Sequence, residues 1–143
     1  MSTESLVGRQ LARTAKAVGR ALDQALANEG GSLPTYLILF TLKTEQVANQ
    51  RELADSMGIQ GATLTHHLNG MEADGLLTRR RDPHNRRVHV VEPTEGGEAL
   101  YERLSDVSVA FDERLRTGVS DEDVQVLEQL LGRLYDNATR TGP

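Results

Sequence analysis

Cysteine is absent from the 143 residues, which removes disulfides, thiolate metal sites and thiol redox switches from the chemistry open to this chain. Tryptophan is absent too, and aromatic residues make up only 3% of the sequence. An apolar pocket therefore has to be lined mainly by Leu, Val and Ala, with Tyr36, Phe40, Tyr101 and Phe111 as the aromatic candidates for holding a small effector. No apolar run approaches the roughly 20 residues of a membrane span. Met1–Ser5 lead into a charged, alanine-rich stretch rather than a signal sequence, so a soluble cytoplasmic protein without membrane contact is expected. There is no glycine-rich phosphate loop, nucleophile elbow or HExxH pair, and glycines stand at element ends. An enzyme is not expected, and no cofactor is implied. An excess of positive charge is also missing, since the formal net charge is -5.

What positive charge there is concentrates in one place. Arg79, Arg80, Arg81, Arg86 and Arg87 flank the turn-forming Asp82-Pro83-His84-Asn85, a basic hairpin tip between strands starting at Leu76-Leu77-Thr78 and returning through Val88-His89-Val90-Val91. Contact with phosphate depends on where cations sit rather than on the global sum, so the acidic total is weak evidence against a nucleic-acid partner.

The segment before the hairpin has helical spacing. Leu64, Leu68 and Met71 recur so that one side of Ala62 to Asp74 is buried, leaving Thr63, Thr65, His66, His67 and Asn69 on or around a polar outer side. Gly75 supplies the left-handed stop. Upstream, Asn49-Gln50-Arg51-Glu52 approximates a capping box for a short helix, Gln50 to Met57, with Leu53, Ala54 and Met57 inward and Gly58 ending it. Two short helices broken by a glycine form a helix-turn-helix, whose second helix enters the major groove. A cationic hairpin beside it can lie along the backbone and place an arginine in the adjacent minor groove.

The flanks are helical. Ser5 to Asn28 carries the seam Leu11, Ala15, Val18, Leu22 and Ala25. A second helix starts near Ser32 or Leu33 with Pro34 in its first turn, and its dense Tyr36, Leu37, Leu39, Phe40 and Leu42 place it at the centre of the core. Thr94 caps a long helix with Leu100, Leu104, Val107, Phe111 and Leu115 on its apolar face. Ser120 with Asp123 starts a last helix whose seam is Val124, Leu127, Leu131 and Leu134, widened by Val126 and Leu130; a frayed tail follows from Thr139 to Pro143. These terminal seams exceed what one small core covers, and association of two copies would bury the surplus.

The residues resemble the MarR family of bacterial transcriptional regulators. The matching pieces are Glu52 to Ile59 (ELADSMGI), Thr63-Leu64-Thr65, Met71 to Leu77 (MEADGLL), the wing Arg79 to Arg87 and Pro93-Thr94-Glu95-Gly96-Gly97. The resemblance implies a mostly α fold with a small β-hairpin wing, a winged helix-turn-helix with N- and C-terminal dimerisation helices. Residues 1–31 are then an N-terminal dimerisation helix, 32–93 the DNA-binding lobe and 94–143 the completion of the dimerisation region. It further implies a homodimeric repressor of a pseudo-palindromic promoter site on double-stranded DNA, released by a small phenolic or aromatic effector. On this reading Thr63, Thr65, His66 and His67 face the major groove or its phosphates, Asn69 stands near its edge, Arg86 enters the minor groove, and Arg79, Arg81 and Arg87 neutralise phosphates. Gln60 stands where the family commonly has a Ser cap, and His66-His67 where a basic residue often contacts phosphate. Asn85 replaces a wing acid, and is expected to accept a hydrogen bond from Arg86 without charge assistance.

Two other function classes fit parts of the pattern. A metal-responsive regulator would use His66, His67, His84 and His89, which all fall in the DNA-binding lobe, although adjacent histidines on a helix diverge by about 100° and share one ion poorly. A protein-interaction module that never touches DNA would use the same helices, and retention of no DNA at low salt would favour it.

Overall fold

The computed structural model describes residues 6–45, 47, 49–140 and 142. Ser5, the expected start of the first helix, and Thr141 and Pro143 of the expected frayed tail lie outside them. The chain divides into two compact units between Val109 and Ala110.

The first unit holds α1 (Val7–Ala27), α2 (Leu33–Thr44), α3 (Gln50–Met57), α4 (Gly61–Ala73), β1 (Leu77–Arg81), β2 (His89–Pro93) and the larger part of α5 (Glu95–Leu115). Local chemistry sets the starts of these elements. Ser32 caps α2 by accepting from the Thr35 N–H at 3.2 Å, with Pro34 in the first turn where its missing amide is harmless. Asn49 caps α3 through the Glu52 N–H at 2.9 Å. Thr94 does the same for α5, its Oγ1 accepting from the Gly97 N–H at 3.0 Å.

Leu26, Ile38, Leu39, Leu53, Leu64, Leu68 and Leu104 are fully buried, with Tyr36, Met71, Leu77, Val91 and Leu100 beside them. The α2 helix is central as expected, but its inward face is Tyr36, Ile38 and Leu39, while Leu37 and Phe40 are each 40% exposed. An apolar-all-round helix gives no periodicity to say which side turns in. The expected seam of α1 is mostly uncovered: Leu11 and Ala15 are exposed, Val18, Leu22 and Ala25 half-buried, and only Leu26 is buried.

The second unit contains the end of α5 and α6 (Asp121–Thr139), which Ser120 caps by accepting from the Asp123 N–H at 3.1 Å. On α6 only Val124 is buried, and Val126, Leu127, Leu130, Leu131 and Leu134 stand exposed. Among the described residues no helix is long and apolar enough to cross a membrane.

Candidate nucleic-acid interface

The helix-turn-helix is α3, Gly58 and α4. Gly58 has φ 66°, the left-handed conformation that ends α3. Leu64, Leu68 and Met71 are buried beneath α4, which leaves Thr63, His66 and Asn69 exposed and Thr65 and His67 half-buried. Thr65 is tied to the preceding helix, its Oγ1 accepting from Gln50 Nε2 at 2.6 Å. Gln60 makes no side-chain cap, so the first turn of α4 begins without the hydrogen bond a Ser would supply. The His66 and His67 rings are 5.8 Å apart and tilted by 59°. Among the described residues no three His, Asp or Glu side chains gather as a metal-ligand group.

The hairpin pairs antiparallel in the register Leu77↔Pro93, Arg79↔Val91 and Arg81↔His89. Leu77, Arg79 and Arg81 thus share a face with buried Val91, while Arg80 points the other way and pairs with Glu92 at 3.1 Å. A bridge from Asn49 to Val90 fastens β2 to the start of α3. Thr94 closes the base, donating its hydroxyl to the Gly75 carbonyl at 2.6 Å, and its N–H goes to the Leu76 carbonyl at 3.0 Å. Gly97 permits this junction: a Cβ there would lie 1.9 Å from the Leu76 carbonyl oxygen.

At the tip, Asp82 Oδ1 accepts the His84 N–H at 2.8 Å. Asn85 Oδ1 accepts the backbone N–H of Arg87 at 3.2 Å, and not a bond from Arg86 as its sequence position led us to expect. A short Asx side chain reaches its own backbone two residues on more readily than it reaches a guanidinium that solvent draws outward. Arg81 Nη1 donates to the Arg86 carbonyl at 3.4 Å, a long bond that leaves most of its guanidinium available. Among the described residues, the Arg86 and Arg87 side chains have no hydrogen-bond or ion-pair partner, and both residues are exposed.

Arg79 differs from them. Its Nη2 donates to Asn69 Oδ1 at 2.6 Å and to Glu72 Oε1 at 3.0 Å, and its backbone N–H goes to Glu72 Oε2 at 3.1 Å. The side-chain and backbone hydrogen bonds from Arg79 hold the Glu72 carboxyl below the ordinary glutamate range. Sequence reasoning missed Glu72 and Gln50. The available signal was that Glu72 lies one turn after Asn69 on α4, at the end nearest the strand. A cleft of about 710 Å³ separates wing from helices, lined among others by Arg51, Thr65, Arg79, Arg87 and His89.

Of the residues expected to hold an effector, three come together in the first unit. The Tyr36 ring stacks on Tyr101 at 6.2 Å and lies 6.0 Å from Phe40. Phe111 belongs to the second unit, where the Arg114 guanidinium sits 5.1 Å from its ring centroid.

Residues 32–89 match the family model described as MarR family. Among curated proteins, an uncharacterised HTH-type transcriptional regulator, YdgJ, of Bacillus subtilis (strain 168) is 29% identical over 89 residues, which is 62% of this chain and 54% of that protein. The organic hydroperoxide resistance transcriptional regulator of the same organism is 29% identical over 102 residues, 71% of this chain and 66% of that one. The matches thus span about half to two thirds of these relatives' own length. Among solved structures, the transcriptional repressor CouR bound to a 23-mer DNA duplex superposes with a TM-score of 0.86 at 24% identity, covering 92% of this chain and 94% of that one. CouR from Rhodococcus jostii RHA1 bound to p-coumaroyl-CoA superposes with a TM-score of 0.80 at 26% identity, covering 100% and 99%. With a capped helix-turn-helix, an arginine-tipped wing and the Thr94-x-x-Gly97 closure in one lobe, the chain has the winged helix-turn-helix fold of these regulators, and its residues 32–89 form a MarR-family domain.

Proposed function

We propose that the protein is a homodimeric repressor that grips a pseudo-palindromic promoter site through α4 and the wing and leaves it when a small aromatic or phenolic ligand binds. The observation that carries this reading is the pair of unpartnered guanidiniums, Arg86 and Arg87, at the tip of a wing whose base is fastened to the helix-turn-helix. In a chain of net charge -5, unpaired cations gathered beside a polar helix face suit a polyanion and little else. Thr63, His66 and His67 are assigned to base edges and bordering phosphates, Arg86 to the minor groove, and Arg81 and Arg87 to phosphates. Thr65, Asn69 and Arg79, engaged with Gln50 and with one another, support these contacts from within the lobe.

Residues 32–93 are assigned to DNA, and 1–31 and 94–143 to self-association, because the exposed leucines of α6 and the exposed Val7 and Leu11 of α1 want cover. The effector is assigned to the rings of Tyr36, Phe40 and Tyr101. One turn beyond Tyr101, the Ser105 hydroxyl is buried without a hydrogen-bond partner among the described residues, a place for a ligand's polar group. CouR is a repressor with p-coumaroyl-CoA bound in one structure and DNA in another, which supports an aromatic acid derivative as the class to try first. The hydroperoxide-resistance relative suggests a different signal, but thiol chemistry is closed to these 143 residues.

Selection of genomic fragments with purified protein, followed by mobility shifts, tests the reading. Arg86→Ala is expected to weaken binding to the retained fragment and lower the slope of log K against log salt by about 0.9, one phosphate's worth. Retention of no fragment at low salt would overturn the proposal.

A further inference from the structure

Resting on the DNA-binding reading, we infer that Arg79 is a positioning residue: Glu72 and Asn69 of α4 hold it, and through it they fix the wing against the recognition helix. Three hydrogen bonds converge on this one residue, two from a single side-chain nitrogen and one from its backbone N–H. Glu72 uses both carboxylate oxygens, one for the guanidinium and one for the strand backbone. The strand is thereby strapped to the last turn of α4 at its third residue, on the face that also carries buried Leu77.

The electrostatics point the same way. Arg79 has a side chain only 16% exposed, and it neutralises a carboxylate that is 42% exposed at the edge of the interface. To reach a phosphate it would have to abandon Glu72 and leave that charge bare beside a polyanion. Arg86 and Arg87 carry no such obligation. The clamp matters because the wing is a lever: with about 3.4 Å of advance per strand residue, the tip lies on the order of 10 Å beyond Arg79, so a tilt of about 20° displaces Arg86 by roughly 3–4 Å. That displacement is enough to miss a groove contact whose tolerance is a fraction of a hydrogen-bond length.

Two substitutions separate this role from direct phosphate contact, because the signs differ. Glu72→Gln removes a negative charge beside the DNA. If Arg79 were a phosphate ligand restrained by Glu72, the variant would bind the selected fragment more tightly with a salt slope steeper by about 0.9. With Arg79 as the strap, Glu72→Gln is expected to bind about fivefold more weakly. Arg79→Lys keeps the charge and loses the fork that reaches Asn69 and Glu72 together. It is expected to lose a similar factor with an unchanged salt slope. Amide ¹⁵N relaxation of the DNA-free protein supplies a readout independent of operator binding, and order parameters across residues 82–88 are expected to fall in both variants. Wild-type order across the wing tip in Glu72→Gln, or tighter binding by it, would overturn the inference. Wild-type protein that binds no DNA while the wing still loosens in both variants would sink the functional reading and leave the clamp standing.

Discussion

A Cβ at Gly97 would collide with the backbone carbonyl of Leu76 rather than with a side chain that can swing away. Gly97→Ala is therefore expected to force α5 off the α4–β1 turn and to destabilise the fold by about 1–3 kcal/mol, the range for overpacking a closed contact. The midpoint of chemical denaturation measures it, and an unchanged midpoint would mean that this junction is loose in solution. A threonine three residues ahead of a glycine was legible as a pattern in the sequence, and so was Thr94 as a cap. Its second bond, to the Gly75 carbonyl, was not, because those residues are 19 apart and only the closed hairpin brings them together. Glu72 yields a prediction about pH. Its folded carboxyl titrates below the ordinary glutamate range, first because of the Arg79 side-chain bond and then the Arg79 backbone bond. A depressed carboxyl contributes stability that is present above its unfolded value and lost as pH falls through the lower folded value. Wing order, followed by the Arg79 amide resonance, is thus expected to survive at neutral pH and fade only at the acid end. In Glu72→Gln that acid-limb change is expected to be absent.

Among the elements, α3 runs over the residues its capping pattern marks, and α4 is displaced by one residue, starting at Gly61. The wing strands came one residue later than their apolar runs suggested, because Leu76 completes the turn after Gly75 before pairing begins. Capping and amphipathic spacing are local properties, so they are readable in sequence. The inward side of α2 was not, since nearly every position there is apolar. The orientation of Arg79 was not readable either, because three consecutive arginines look alike until the register with β2 puts Arg79 opposite buried Val91. The start of α4 offers a gain: Gln60 leaves the first-turn amides of the recognition helix without a side-chain acceptor. Gln60→Ser is expected to stabilise the protein by about 0.5–1 kcal/mol through a new cap, visible as a rise in thermal midpoint of a few degrees at about 2–4 °C per kcal/mol for a chain of this length. A fall in midpoint would show that Gln60 holds α4 in some other way.

For the molecule as a whole, the terminal helices pose the remaining question. Leu127 is 50% exposed, Leu130 54% and Leu131 40%, on a helix where only Val124 is buried. In the proposed dimer, these apolar side chains repeating along one helix are the surface assigned to association. A single α4 spans only a few base pairs, whereas a twofold pair places two of them on half-sites roughly 34–36 Å apart and adds their binding free energies on one duplex. Leu127→Glu combined with Leu131→Glu puts two like charges into each copy of that surface at positions outside residues 32–93, the segment proposed to hold DNA. The variant is expected to sediment as the 15.7 kDa monomer while keeping its helical circular dichroism. Its binding to the selected fragment is expected to fall by at least about 100-fold, since the second half-site becomes a separate encounter rather than an intramolecular one. Binding to mixed-sequence DNA should change far less, because each wing keeps its own cations. A variant that still sediments as a dimer would move the association surface off α6, and a monomer with undiminished operator affinity would mean that one lobe reads the site alone.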